Sequence, residues 1–143
     1  MEVHPGVFVS NVMTDHWLPD PEVGGEMHVL VEEETAYAGM SRFTKNADLR
    51  SWTLPERETV LILEGSVRIE IHGGVTLELK VGDMASLPKG VVTSWHMTLP
   101  FREIWFFGRP YEASSDGLNG TCGLRRDAWS SREGPVAEIG GTR

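Results

Sequence analysis

The sequence predicts an all-β fold of the jelly-roll, or double-stranded β-helix, type in one domain of 143 residues. Short segments that alternate apolar and polar residues follow one another between glycines and prolines, and no ten-residue segment before Gly108 has a helical period. Evenly spaced short strands of this kind are typical of sandwiches and jelly rolls. The spacing of two glycine-containing motifs, described below, favours the jelly roll.

The clearest element is a hairpin, in which strands over 67–71 and 75–80 flank the turn at Gly73 and Gly74. Pro55 separates two strands, because proline lacks the donor that a central strand needs, and Gly65 is expected to end the second of them. The remaining strands are bounded by turns, glycine or proline, and they are predicted over 27–32, 36–43, 52–54, 58–65, 84–87, 91–97 and 102–107.

Both ends of the chain differ in composition from the strands between them. Residues 1–25 contain scattered prolines and glycines and are predicted to be an N-terminal arm with a short strand at 7–9, before a barrel over 26–110. Residues 111–143 are rich in Ser, Gly and Arg, with Leu124 and Trp129 as the main large apolar groups. This segment is either a partly disordered tail or a strap that docks through Trp129.

Charge and cysteine content limit the partners that the chain can have. A net charge of −8 repels nucleic acid and anionic lipid surfaces, so we expect neither as a partner. The start of the sequence has no basic segment followed by an apolar run, and the apolar stretches are too short to span a bilayer. With Cys122 as the single cysteine, which excludes an internal disulfide, a cytoplasmic location is expected.

Two motifs resemble those of the cupin family: Glu58-x6-Gly65, and Gly82-x5-Pro88-x-Gly90. Cupins also carry a His-x-His pair in the first motif and a later histidine in the second. The resemblance covers about residues 36–107 and is nearest to the small single-domain cupins related to ureidoglycine aminohydrolase and to the ethanolamine-utilisation cupin. It implies a jelly-roll barrel around an internal site.

On the cupin frame, the metal-ligand positions fall at Trp52, Leu54, Glu58 and Thr93. Indole and isobutyl groups offer no lone pair, and a threonine hydroxyl is a poor ligand for divalent ions. We therefore expect no metal and no other cofactor. Unusual ligands drawn from His28, Glu32 or His96 are a less favoured alternative.

The resemblance places residue 93 inside the barrel, and alternation then turns Trp95 and Met97 to the same face. Glu58 would lie in an apolar lining that raises its pKa, which suits a donor or acceptor of protons near neutral pH. Glu58 is therefore the candidate catalytic residue. The candidate substrate-binding residues are Trp52, Leu54, Thr93, Trp95, Met97, Trp105, Arg42 and Tyr37.

Other interpretations stay open. Glu58 could be a structural carboxylate held by Arg42, Tyr37 or Arg102, and the tryptophans could fill the core without contacting a ligand.

The first hypothesis is a metal-independent cupin that binds a small polar organic molecule and acts as a lyase, isomerase or hydrolase through one carboxylate. The second is a binding or assembly module without catalysis, a homodimer joined through Leu61 and Leu63 on the outer face. The third is a metal-dependent cupin enzyme with unusual ligands.

Overall fold

The computed structural model describes residues 1–45 and 48–108, and within them every regular element is a β-strand. The predicted tail over 111–143 lies outside the described residues, together with Cys122, Leu124 and Trp129. The strands are β1 (Glu2–His4), β2 (Val7–Phe8), β3 (Leu18–Pro19), β4 (Glu26–Glu32), β5 (Ala36–Phe43), β6 (Asp48–Thr53), β7 (Arg57–Ile71), β8 (Thr76–Lys80), β9 (Met84–Leu87) and β10 (Val92–Gly108).

Two long strands, β7 and β10, pair antiparallel along most of their length and connect two layers of the fold. The first half of β7 and the second half of β10 join β9 on one side and β5, β4 and β3 on the other. The second half of β7 and the first half of β10 join β8 and β6. This arrangement is the predicted jelly roll, and the predicted hairpin is β7 with β8.

Gly65 does not end its strand, as the sequence had suggested, because it lies inside β7 at φ 73°. The pairing with β10 is irregular between Thr98 and Arg102, opposite this glycine. A Cβ atom at Gly65 would collide with the backbone oxygens of Thr98 and Pro100. Glycine therefore allows β7 to bend and continue, and the strands predicted over 91–97 and 102–107 are likewise one strand, β10.

The core follows the alternation of the two long strands. Its large, fully buried members include Val60, Ile62, Ile69 and Phe101. Ala38 and Met40 are also buried, although they lie on the opposite face of β5 from Phe43.

The predicted N-terminal arm lies over that outer face and is held by hydrogen bonds to the sheet. The side chains of Ser10 and His28 are joined by a hydrogen bond of 2.7 Å. Arg102 donates to the carbonyl oxygen of Val12 at 2.8 Å. The arm also contributes β3, which pairs with β4 and so extends the sheet.

The described residues form no helix that could cross a membrane. Leu61 and Leu63 are half-buried in β7, and the homodimer in which they would meet stays a prediction.

We expect Gly65→Ala to destabilise the protein more than Gly73→Ala, although both glycines have a left-handed backbone, with φ of 73° and 75°. A Cβ atom at Gly73 has open space around it. The free energy of unfolding of that variant should therefore fall only by the cost of a left-handed backbone at alanine, about 1–2 kcal/mol. At Gly65 the backbone collision adds about 1–3 kcal/mol. Urea unfolding of both variants measures the difference, and equal losses would contradict this account of the bend.

Candidate functional site

A cavity of about 80 Å³ opens inside the jelly roll. A buried water needs about 10–15 Å³ on the same measure, so the space holds on the order of five to eight water-sized groups. Aromatic side chains make up much of its wall: Tyr37, Trp52, Trp95, Trp105 and Phe107. Although Trp95 and Trp105 also belong to the hydrophobic core, they do not fill the interior.

The indole N–H groups of Trp95 and Trp105 have hydrogen-bond partners within the protein. The indole N–H of Trp95 donates to the Thr93 hydroxyl at 2.8 Å, and that hydroxyl donates to the carbonyl oxygen of Trp52 at 3.0 Å. The indole N–H of Trp105 donates to the Ser41 hydroxyl at 2.9 Å. These rings therefore offer the cavity apolar surface in fixed positions.

Glu58 lies near the start of β7, lines the cavity and is only 6% exposed. Its Oε2 atom is buried and has no hydrogen-bond partner among residues 1–45 and 48–108. Burial raises the pKa of Glu58 from the usual 4.5 to about 7, because the apolar surroundings disfavour the charged form. Glu58 is thus in both protonation states near neutral pH.

The two arginines considered as partners of Glu58 bond to other groups. Arg42 Nε donates to Glu26 Oε2 at 2.7 Å, and Arg102 Nε lies 3.6 Å from Glu64 Oε2. The hypothesis that an arginine holds Glu58 in a purely structural role finds no support in these contacts.

A second carboxyl group, Glu103, lies in the same cavity and was not among the predicted site residues. It is 6% exposed, and its Oε2 atom is also buried without a hydrogen-bond partner in the described part of the chain. Burial raises the pKa of Glu103 well above its usual value, and the negative charge of Glu58 raises it further. Alternation could have identified it, because it lies two residues before Trp105 on the same face of β10.

The two glutamates occupy different positions along the paired strands. Glu58 is opposite Phe107, and Glu103 is opposite Ile62. Four residues of strand therefore separate the two positions, about 13 Å between backbones at roughly 3.3 Å per residue. The carboxyl groups are close enough to influence each other's charge without being direct cross-strand neighbours.

The loop between β3 and β4 also reaches the cavity, through Asp20, Glu22 and Val23. Asp20 Oδ1 accepts hydrogen bonds from the backbone N–H of Glu22 at 2.9 Å and of Val23 at 3.2 Å. The loop thus holds its own shape while it presents two acidic residues. This part of the chain had been assigned to the arm, so the sequence analysis missed its contribution.

The other predicted residues are placed as follows. Met97 and Tyr37 line the cavity, whereas Leu54 (1% exposed) and Thr93 (0% exposed) are buried and do not line it. Arg42, which was predicted to bind substrate, lies outside the cavity. Its guanidinium lies 4.5 Å from the centroid of the Trp17 ring and binds Glu26. Residue 42 has the opposite parity to the inward residues on either side of it, so alternation turns it outward.

The side chains present do not fit the metal ion that the cupin resemblance implies. The Thr93 hydroxyl is engaged with Trp95 and Trp52, and the described residues contain no group of three or more His, Cys, Asp or Glu that could hold a metal ion. His28 instead bonds to Ser10 and to the carbonyl oxygen of His16, whereas His96 lies 3.7 Å from Glu70.

Comparison with known proteins gives one family and several related folds. Residues 43–105 match the family model described as the EutQ-like cupin domain. No curated protein matches the chain by sequence.

Among solved structures, a protein assigned as ethanolamine utilization protein Q from Salmonella typhimurium LT2 is 27% identical, with a TM-score of 0.50 over 58% of this chain and 68% of that one. An RmlC-like cupin from Shewanella frigidimarina is 19% identical, with a TM-score of 0.59 over 72% and 91% of the two chains. KdgF from Halomonas sp. is 19% identical, with a TM-score of 0.56 over 74% and 96%.

The last two likenesses concern the fold alone, and they agree with the jelly roll described above. The family match covers both motifs on which the sequence resemblance was based. The matched part of the chain, residues 43–105, is a cupin domain of the branch related to the EutQ-like cupins.

Proposed function

We propose that this cupin-domain protein binds a small polar organic molecule in its cavity and that Glu58 and Glu103 exchange a proton with it. The observation that carries the proposal is the pair of buried carboxyl groups, each with an oxygen atom that no described residue meets with a hydrogen bond. Leaving a buried polar atom unsatisfied costs about 1–3 kcal/mol. Arrangements that destabilise the folded protein in this way are concentrated at functional sites.

The size and lining of the cavity limit the ligand. A cavity of about 80 Å³ accepts on the order of five to eight non-hydrogen atoms. The indole rings supply apolar contact, and the unpaired carboxyl oxygens supply the polar contacts that fix the orientation. The proposed ligand is therefore smaller than a nucleotide or a disaccharide.

The two carboxyl groups suit different halves of a proton transfer. With its pKa near 7, Glu58 is ionised in part of the molecules at neutral pH and can accept a proton. Glu103, which is held protonated by burial and by its acidic neighbour, can donate one. Lyase, isomerase and hydrolase reactions all use such a pair of acid and base. The proposal therefore differs from the sequence-based hypothesis, which used the single carboxylate of Glu58, because it adds Glu103 from a second strand.

The raised pKa of Glu58 predicts that stability falls as the pH increases. The folded protein keeps this proton up to about pH 7, whereas the unfolded chain loses it near 4.5, so the folded state binds more protons between these values. The contribution of Glu58 to the free energy of unfolding should decline from about pH 4.5 to about pH 7, by on the order of 3 kcal/mol. Glu103 acts in the same direction.

Urea unfolding of the wild type and of Glu58→Gln from pH 5 to pH 8 measures this effect. The variant cannot lose the proton, so its stability relative to the wild type should increase with pH. Glu78→Gln, which removes an exposed carboxylate on β8, serves as the matched control and should follow the wild-type curve. Parallel curves for the wild type and Glu58→Gln would show that Glu58 is ionised normally.

The proton exchange itself predicts a dependence on the buffer. A library of polar compounds of about five to eight non-hydrogen atoms is screened by ligand-observed NMR, and the hits are titrated by calorimetry at pH 7 in buffers of different ionisation enthalpy. We expect the binding heat to vary with the buffer for the wild type and Glu78→Gln, and much less for Glu58→Gln. A library without hits, or hits that bind all variants with the same buffer-independent heat, would overturn the proposed function.

A further inference from the structure

Among the described residues, the ionisable side chains that line the cavity are all acids, which are neutral when protonated and negative when ionised. Four are carboxyl groups, from Asp20, Glu22, Glu58 and Glu103, and the fifth is the phenol of Tyr37. Among residues 1–45 and 48–108, no lysine, arginine or histidine belongs to this lining. An anionic ligand would therefore meet like charges with no opposite charge to receive it, which costs several kcal/mol at close range.

The arginines Arg42 and Arg102 do not bring positive charge to the cavity. Arg42 is paired with Glu26 on the other face of β5, and Arg102 donates to the carbonyl oxygen of Val12 in the arm. Both guanidinium groups are therefore held away from the cavity by partners of their own.

The neutral part of the lining also favours a positive charge. Indole, phenol and phenyl rings carry negative charge on their faces and attract cations, by about 0.5–2 kcal/mol according to how far the site is desolvated. The indole N–H groups of Trp95 and Trp105, which could have donated to an anion, already donate to Thr93 and Ser41. The described lining thus offers carboxyl oxygens and aromatic faces, and the indole N–H groups of these two rings are not free to bind an anion.

We infer that the ligand of this cavity is a small organic cation, an aliphatic amine of about five to eight non-hydrogen atoms, whose ammonium group is received by the unpaired oxygens of Glu58 and Glu103. This inference rests on the proposed function and specifies its ligand class. Asp20 and Glu22, in the loop between β3 and β4, add negative charge along the lining and favour the entry of a cation. The alkyl part of the amine lies against the aromatic side chains.

The test compares three compounds of nearly the same shape and different charge: butylamine, n-butanol and butyrate. At pH 8 butylamine is cationic, since alkylammonium groups have a pKa of about 10.4, and butyrate is anionic. Each compound is titrated into ¹⁵N-labelled full-length protein, and the indole N–H signals of Trp95 and Trp105 report binding from within the cavity. We expect butylamine to bind at least about tenfold more tightly than butyrate, with n-butanol between them.

Variants separate the cavity carboxylates from the general negative charge of the protein. Glu58→Gln and Glu103→Gln should each weaken butylamine binding at least about tenfold, with little effect on n-butanol. Glu78→Gln makes the same change of charge on an exposed strand and should leave all three affinities unchanged. Thermal melting of each variant verifies that it is folded, and either glutamine variant alone suffices for the comparison.

The outcomes distinguish this inference from the proposed function on which it rests. Binding of butyrate or n-butanol as tight as that of butylamine overturns the cation preference, while a small-molecule cavity remains. Butylamine binding that is unaffected in both glutamine variants also overturns it. If none of the three compounds shifts the indole signals and the polar library gives no hits, both proposals fail.

Discussion

The antiparallel pairing of β7 with β10 is the constraint on which the shape of the jelly roll and the contents of its cavity both depend. Each strand runs through both layers, so the inward face of one pair of strands supplies Glu58, Trp95, Glu103 and Trp105 together. A slip of β10 by one residue in this register would turn its inward side chains, including Trp95, Glu103 and Trp105, outward. The bend at Gly65 is what allows one continuous pairing to serve both layers.

Hydrogen bonds and apolar packing engage several of the positions where the cupin resemblance places metal ligands. At the positions where the cupin resemblance places metal ligands, Thr93 instead links the indole of Trp95 to the backbone of Trp52, and Leu54 packs in the core. Glu58 keeps the carboxylate of the usual ligand set, and its Oε2 atom has no hydrogen-bond donor among the described residues. The buried charge that a metal ion would neutralise is therefore available for protonation or for a ligand.

Much of this fold was predictable from the sequence, since alternation, glycines and prolines gave nearly every strand between residues 26 and 108. The bend at Gly65 was not predictable, because it depends on backbone oxygens at Thr98 and Pro100 that lie far away in sequence. The inward position of Glu58 followed from the motif resemblance. Glu103 and the outward turn of Arg42 needed only a stricter use of strand parity, whereas the approach of the loop around Asp20 needed the tertiary structure.

The loop between β3 and β4 closes on itself. Asp20 receives hydrogen bonds from Glu22, Val23 and Gly24, and its own N–H donates to the carbonyl oxygen of Gly25. These internal hydrogen bonds fix the loop, while Val23 packs against the hydrophobic core and Gly25 lies close to Phe43. Substitutions at the exposed Glu22 could therefore change the charge at the border of the cavity without altering the strands that form the rest of its wall.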